Sequence, residues 1–188
     1  MLRPEYPVLT PRLLLRPLLP SDAPALCAYQ SREDVCRYIP YSPRTLADLQ
    51  QRLSAPDFTR SVLDEPGQAA LLAVARRADD VVVGDVMLAW TSREHGTAEI
   101  GYVFDPAHQG NGYATEAARA LLRLGFDGLG VHRIIARIDA RNTSSAAVLR
   151  RIGMRQEAHL RENEWFKGEW TDELDFAVLA SEWRSSPG

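Results

Sequence analysis

The segment Gln109-Gly110-Asn111-Gly112-Tyr113-Ala114 places two glycines between a strand-like run, residues 98–104, and a helix-like run that begins near Thr115. A glycine turn that leads into a helix presents several free backbone N–H groups at the positive end of the helix dipole. This arrangement favours a phosphate or diphosphate, and glycine lets the ligand approach the backbone closely. The segment therefore predicts a binding site for a nucleotide-containing cofactor.

Two well-known glycine loops do not fit this segment. A P-loop needs Lys followed by Ser or Thr after its second glycine, where this chain has Tyr113 and Ala114. The dinucleotide fingerprint needs a third glycine where Thr115 stands, and the loop here lies in the middle of the chain. A strand-to-helix turn whose glycines serve geometry alone remains the alternative.

Composition bounds the class of protein. The 188 residues, 45% hydrophobic and 25% charged, are typical of one globular domain, so we expect a single domain over residues 1–188. The net charge of −3 predicts no nucleic-acid partner and no anionic membrane. The N-terminus lacks the apolar stretch of a signal peptide, so we expect a cytoplasmic protein. Cys27 and Cys36 have no Cys or His at metal-ligand spacing, so we expect no metal.

Hydrophobic periodicity predicts the elements that must position the loop. Strands are predicted near residues 12–18, 69–75, 81–90, 98–104, 133–138, 157–163 and 172–179. Helices are predicted near residues 21–31, 46–53, 115–129 and 142–152. Short links among the second, third and fourth strands indicate an antiparallel meander. The long helix after the glycine loop indicates a right-handed crossover, which makes the strands on either side of it parallel.

The order of strand, glycine loop, helix, strand and then residues 142–154 resembles the GNAT N-acetyltransferases, which use acetyl-CoA. The glycine loop matches that family's diphosphate signature, Gln/Arg-x-x-Gly-x-Gly/Ala. Residues 9–17, 112–117 and 167–172 are similar to the branch of ribosomal-protein N-terminal (RimJ/RimL-like) acetyltransferases. The resemblance implies the GNAT fold, an α/β (α+β) arrangement with a mixed, mostly antiparallel sheet of six or seven strands and helices on both faces.

The resemblance also implies a set of cofactor contacts. The residues that it places around acetyl-CoA are Val103, Phe104, Gln109, Gly110, Asn111, Gly112, Tyr113, Ala114, Thr115 and Asn142. A backbone N–H of Val103 or Phe104 would donate to the oxyanion, at a gap where two parallel strands part. Asn142 would hydrogen-bond the pantetheine arm or the substrate backbone. An ordinary helix N-cap is the alternative for Asn142.

Acetyl transfer needs a group that accepts the amine's proton and a group that protonates the leaving thiolate. Many family members have a tyrosine at the position of Leu149, which cannot donate a proton. The ribosomal branch resembles this chain in having a serine at Ser145, which is therefore the candidate acid, with a plain helix residue as the alternative. Glu99 is the candidate base, directly or through a water, and a solvated strand residue is its alternative. Asp85 and His95 are weaker candidates for the base.

The acceptor is predicted to be a primary amine. An N-terminal α-amine, with a reference pKa of about 7.7–8, is neutral more often at pH 7 than a lysine near 10.4. This favours a protein or peptide N-terminus, which in the ribosomal branch is that of a ribosomal protein. A small-molecule amine such as an antibiotic or polyamine, a catalytically silent CoA-binding sensor, and a nucleotide-binding module are the alternatives. A homodimer is common in the branch and is kept as an alternative to a monomer.

Overall fold

The structure, a computed structural model, describes residues 1–185 of the chain. Its strands are β1 (Val8–Leu9), β2 (Leu13–Pro17), β3 (Ala69–Arg76), β4 (Val82–Ser92), β5 (Thr97–Phe104), β6 (Arg133–Asp139), β7 (Arg155–Phe166) and β8 (Glu169–Leu179). They form one eight-stranded sheet in the order β1-β2-β3-β4-β5-β6-β8-β7. The predicted count of six or seven strands was too low because β1 has only two residues and no pattern that marks it.

Among the residues described, six α-helices accompany the sheet: α1 (Ala23–Gln30), α2 (Glu33–Cys36), α3 (Leu46–Leu53), α4 (Tyr113–Arg123), α5 (Thr143–Arg151) and α6 (Ala180–Ser185). The long helix predicted over residues 115–129 begins two residues earlier and widens after Arg123 into a π-type turn, Leu124–Leu129. Gly125 lies in that turn, and a Cβ there would stand 2.5 Å from the Ile134 side chain. The glycine thus allows the helix to approach β6 closely.

The sheet is antiparallel except where β5 meets β6. These two strands are parallel and pair only through Thr97↔Arg133, Ala98↔Ile134 and Glu99↔Ile135. Beyond those pairs β5 continues along β4 as far as Phe104, and β6 continues along β8 as far as Asp139. The two halves of the sheet therefore part, as the sequence predicted, and leave a gap between β5 and β6.

Helices cover both faces of the sheet, as predicted. Helices α4 and α5 pack on the face that carries Leu72, Leu88 and Ile134, and together they bury the larger core. Helices α1 and α3 cover part of the other face and form a smaller core around Tyr29 and Val103. Alternation along β5 therefore turns Tyr102 and Phe104 toward the larger core and Val103 toward the smaller one.

Strands β7 and β8 form a long hairpin at one edge of the sheet. Its turn residues Lys167 and Gly168 both have positive φ values, 51° and 89°, as a two-residue type I′ turn requires. The predicted strand, 157–163, was too short because nearly every β7 side chain is exposed, so burial leaves no alternation in its sequence. Within residues 1–185, none of the helices combines the length and the apolarity needed to cross a membrane.

Candidate active site

A cavity of about 1130 Å³ opens where β5 and β6 part. Its walls come from β5, the glycine loop, one side of α4, one side of α5 and the segment 34–39, which begins in α2. The predicted site residues that line it are Val103, Phe104, Gln109, Gly110, Gly112, Tyr113, Ala114, Thr115, Asn142 and Ser145. Asn111 and Glu99 do not line it. The fold thus brings together all but two of the predicted site residues.

The glycine loop presents free donors to this cavity. The N–H of Gln109 donates to Pro106 and the N–H of Glu116 donates to Gly112, but the N–H groups of residues 110–115 donate to no group within the described chain. Gly110 and Gly112 have φ values of 80° and 75°, in the left-handed region that favours glycine. Gly112 is the N-cap of α4 and, having no side chain, leaves the first turn open. This donor set suits a diphosphate.

The side chain of Asn111 turns back across the loop rather than into the cavity. Its Nδ2 donates to the carbonyl oxygens of His108, at 3.0 Å, and Gln109, at 3.3 Å. Its own carbonyl oxygen accepts a hydrogen bond from the guanidinium of Arg12, at 2.8 Å. The loop is therefore held in shape without using the amides that face the cavity.

The backbone of β5 also faces the gap with free groups. Asp105 N–H donates to the carbonyl oxygen of Val83, which extends the β4–β5 ladder. Residues along an antiparallel strand direct their N–H groups alternately toward the partner strand and away from it. The N–H of Val103 therefore faces β4, whereas those of Tyr102 and Phe104 face the gap.

Asn142 and Ser145 lie at the start of α5. The Oδ1 atom of Asn142 accepts hydrogen bonds from Ser145 N, at 3.1 Å, and from Ser144 Oγ, at 2.9 Å. Asn142 is therefore the N-cap of α5, and its contact with pantetheine stays a prediction. Ser145 lines the cavity, and its side chain lies beside the Tyr102 hydroxyl. Leu149 is fully buried in the larger core.

Sequence reasoning missed Tyr102, whose spacing on β5 reads only as a core position. Its hydroxyl donates to the carbonyl oxygen of Ser145, at 3.1 Å, and so joins β5 to α5 beside the gap. Burial raises the pKa of Tyr102 to about 12, against a smaller lowering by a hydrogen bond with the Ser145 side chain. Tyr102 is therefore a neutral hydrogen-bond donor in the cavity wall.

The candidate bases stand away from the cavity. Glu99 is at the last β5–β6 pair, and its carboxylate lies 2.9 Å from the guanidinium of Arg137. Asp85 accepts hydrogen bonds from the Tyr29 hydroxyl, at 2.5 Å, and from Gln30, at 2.8 Å. Burial raises the pKa of Asp85 above its ordinary value even though both bonds oppose that shift.

Positive charge is concentrated along the cavity. Four arginines line it, Arg12, Arg119, Arg123 and Arg151, against two carboxylates, Asp34 and Glu116. This arginine cluster could not be predicted from the sequence, because its members lie on different elements and the net charge of the chain is negative. Across residues 1–185, no group of three His, Cys, Asp or Glu side chains is placed to hold a metal ion. The cavity is therefore suited to an anionic ligand.

Comparisons with known proteins agree with this geometry. A family model described as an acetyltransferase (GNAT) domain matches residues 12–155. The Bacillus subtilis N-acetyltransferase YnaD, itself uncharacterised, is 35% identical over 94% of this chain and 98% of its own length. The crystal structure of a GNAT-family acetyltransferase from Bacillus anthracis superposes with a TM-score of 0.80 at 32% identity, covering 96% of this chain and 98% of the other.

Two more distant relatives have names that state an acceptor. The ribosomal N-acetyltransferase candidate YdaF from Bacillus subtilis is 27% identical over 91% of this chain and 93% of its own length. Spermidine N(1)-acetyltransferase from Escherichia coli is 25% identical over 54% of each chain. The relatives thus share acetyl transfer to an amine and differ in the amine.

Proposed function

The chain belongs to the GNAT acetyltransferase family, and we propose that it acetylates the N-terminal α-amine of a protein or peptide. Enzymes of this family take the acetyl group from acetyl-CoA, which is the donor here as well. The observation that carries the assignment of acetyl-CoA as the donor is the row of free amides from Gly110 to Thr115 at the start of α4, facing the cavity. These amides would hold the diphosphate of acetyl-CoA.

The pantetheine arm would lie in the gap between β5 and β6. Of the two proposed oxyanion donors, Val103 and Phe104, the strand alternation favours Phe104, whose N–H faces the gap. Such a fixed donor stabilises negative charge that develops on the thioester oxygen during attack by the amine. Asn142, at the far wall of the cavity, would contact the arm in addition to capping α5.

Two proton transfers complete the reaction. We propose that the Ser145 hydroxyl protonates the leaving thiolate, which the position of Ser145 in the cavity wall supports. We propose that Glu99 takes the amine's proton through a water, because Glu99 stands at the point where the strands part. The carboxylate would have to loosen its ion pair with Arg137 to do so.

Three features support an α-amine as the acceptor. Its reference pKa of about 7.7–8 leaves much of it neutral and nucleophilic near pH 7. The relation to YdaF over 91% of the chain also favours the ribosomal-protein branch, whereas the spermidine enzyme matches only 54%. The segment 34–39 lines the cavity with Val35, Tyr38 and Ile39 beside a single carboxylate, Asp34, and this mostly apolar wall favours a peptide over a polycation.

A matched pair of peptides tests this proposal. Thiol release from acetyl-CoA is measured with a lysine-containing peptide whose N-terminus is free and with the same peptide Nα-acetylated, beside spermidine and an aminoglycoside. We expect turnover with the free N-terminus alone. Turnover with spermidine or the aminoglycoside instead would establish the small-molecule alternative. Tight binding of CoA without turnover of any amine would establish a sensor, and preference for ATP or NAD would overturn acetyl-CoA as the ligand.

We also propose that residues 1–188 form a single acetyltransferase domain that assembles as a homodimer. One sheet running from Val8 to Leu179 supports the single domain. The exposed edge strand β7 supports a dimer, together with Trp165 and Trp170, which are 60% and 58% exposed and stack edge to face at its tip. Light scattering measures the assembly directly, and a monomer at micromolar concentration would contradict it.

A further inference from the structure

Glu116 is an unexpected residue at the diphosphate site. It lies in the first turn of α4, one residue after the free amides, and its side chain is only 13% exposed. Burial alone would raise the pKa of the Glu116 carboxyl, but hydrogen bonds from Thr10 and Arg12 hold that pKa below its usual range. The carboxyl is therefore ionised at neutral pH. A fixed negative charge here opposes a second anion at the same helix end.

Arg12 contacts this carboxylate and the loop at once. Its Nε and Nη2 atoms each lie 2.7 Å from Glu116 Oε2, and its backbone N–H donates to Oε1, at 2.8 Å. Its Nη1 atom donates to the carbonyl oxygen of Asn111, and its guanidinium lies over the ring of Tyr113, 5.1 Å from the centroid. Arg12 thus contacts the loop on both sides of Gly112, and with 53% exposure it also faces the cavity.

We propose that Arg12 is a positioning residue whose charge cancels that of Glu116, so that the α4 N-terminus can accept the diphosphate of CoA. The inference rests on the proposed function. It explains why a buried acid is tolerated beside an anion site, and why residues more than a hundred positions apart meet there. The acid keeps Arg12 on the loop, and Arg12 keeps the acid from repelling the ligand.

Arg12→Gln, Glu116→Gln and the double variant test this coupling by calorimetric binding of CoA. Glutamine removes the charge of each side chain and keeps part of its hydrogen bonding, so the double variant shows how much of the loss is due to charge. We expect Arg12→Gln to weaken CoA binding about 30-fold, because it leaves the acid unpaired. Glu116→Gln alone should change affinity by less than about 3-fold. The double variant should recover to within about 5-fold of the wild type, because both charges are gone.

Two further measurements separate this role from simple folding support. Thr10→Val removes a neutral contact to Glu116, at 2.6 Å, and should lower the melting temperature while leaving CoA affinity nearly unchanged. Arg12→Lys keeps the charge and should bind CoA more tightly than Arg12→Gln, even if its folded state is less stable. In about 0.5 M salt the deficit of Arg12→Gln should shrink, since screening weakens the repulsion.

The outcomes that overturn the inference are distinct from those that overturn the function. A double variant as weak as Arg12→Gln, or Arg12→Gln with wild-type affinity, would overturn the coupling while leaving CoA binding in place. Wild-type protein that binds no CoA would overturn the proposed function itself. The wild-type affinity is therefore measured first.

Discussion

The Nζ atom of Lys167, at the tip of the β7–β8 hairpin, lies 2.9 Å from the carbonyl oxygen of Tyr41. The same ammonium donates to the carbonyl oxygen of Cys36, at the end of α2. Tyr38 and Ile39, between these two carbonyls, line the cavity. The only lysine of the chain thus ties the hairpin to the wall against which an acceptor would bind.

Lys167→Met should therefore weaken acceptor binding and leave acetyl-CoA binding alone. Loss of a charged donor at an exposed site amounts to about 1 kcal/mol, so we expect the KM for the amine to rise about 5-fold. Steady-state kinetics with each substrate varied in turn measure the two KM values. Arg161→Met, which removes an exposed cation from the same hairpin, is the control. Equal rises in both KM values would show general loosening instead.

Gly112→Glu should weaken CoA binding at least about 100-fold, because a carboxylate would occupy the anion site. Gly67→Glu is a matched control: Gly67 has a φ of 89°, close to the 75° of Gly112, and no atom within 4 Å of its Cβ position. Both variants bear the left-handed strain of about 1–2 kcal/mol, but only the first should lose the ligand. Equal CoA affinities would contradict the loop assignment.

Ser145→Ala should lower kcat and leave the affinity for acetyl-CoA nearly unchanged. Removal of a general acid lowers kcat by about 100-fold, whereas the KM for acetyl-CoA should stay within about 3-fold. Ser54→Ala, a serine at the end of the remote helix α3, is the control. A kcat equal to that of the wild type would remove Ser145 from the mechanism and direct attention to the hydroxyl of Tyr102.

Asp85→Asn should stabilise the protein above neutral pH. The folded state raises the pKa of this carboxyl, so folded protein binds the proton more tightly and loses stability as pH rises through the unfolded and folded pKa values. Asparagine accepts the same bonds from Tyr29 and Gln30 without that loss. In urea unfolding at pH 8, the variant should have a higher free energy of unfolding than the wild type. This difference in free energy should become smaller toward pH 4.

The control for this pH effect is Asp127→Asn, which removes an exposed carboxyl that forms no ion pair among the described residues. It should show no comparable gain at pH 8. A variant at position 85 that is less stable than the wild type at pH 8 would mean that the charged carboxylate holds α1 on the sheet.

Elements with a strong local pattern could be predicted from the sequence. Helix α3 begins at Leu46 and ends at Leu53 as its apolar spacing indicated, and Thr45 and Asp48 cap it reciprocally. The four residues of α2 and the two of β1 are too short to set up a period. Short elements are determined by the tertiary contacts that they make, and these contacts cannot be seen in the local sequence.

The candidate site divides in the same way. The glycine loop was predictable because a left-handed turn before a helix depends on only a few neighbouring residues, and glycine adopts that conformation readily. Contacts between distant segments were not predictable: Arg12 with Glu116, or Tyr102 with Ser145. The segments around Arg12 and Glu116 each resembled the same family branch, yet nothing local in either one indicates that the two side chains touch.

The three residue pairs that join β5 to β6 have a kinetic consequence. In the proposed complex, the pantetheine arm of acetyl-CoA bridges the two half-sheets. CoA keeps this arm after the acetyl group has been transferred. Acetyl-CoA and CoA would therefore make similar contacts and compete for the gap between β5 and β6. The rate of acetylation in a cell would then depend on the ratio of acetyl-CoA to CoA, and so on the metabolic supply of acetyl groups.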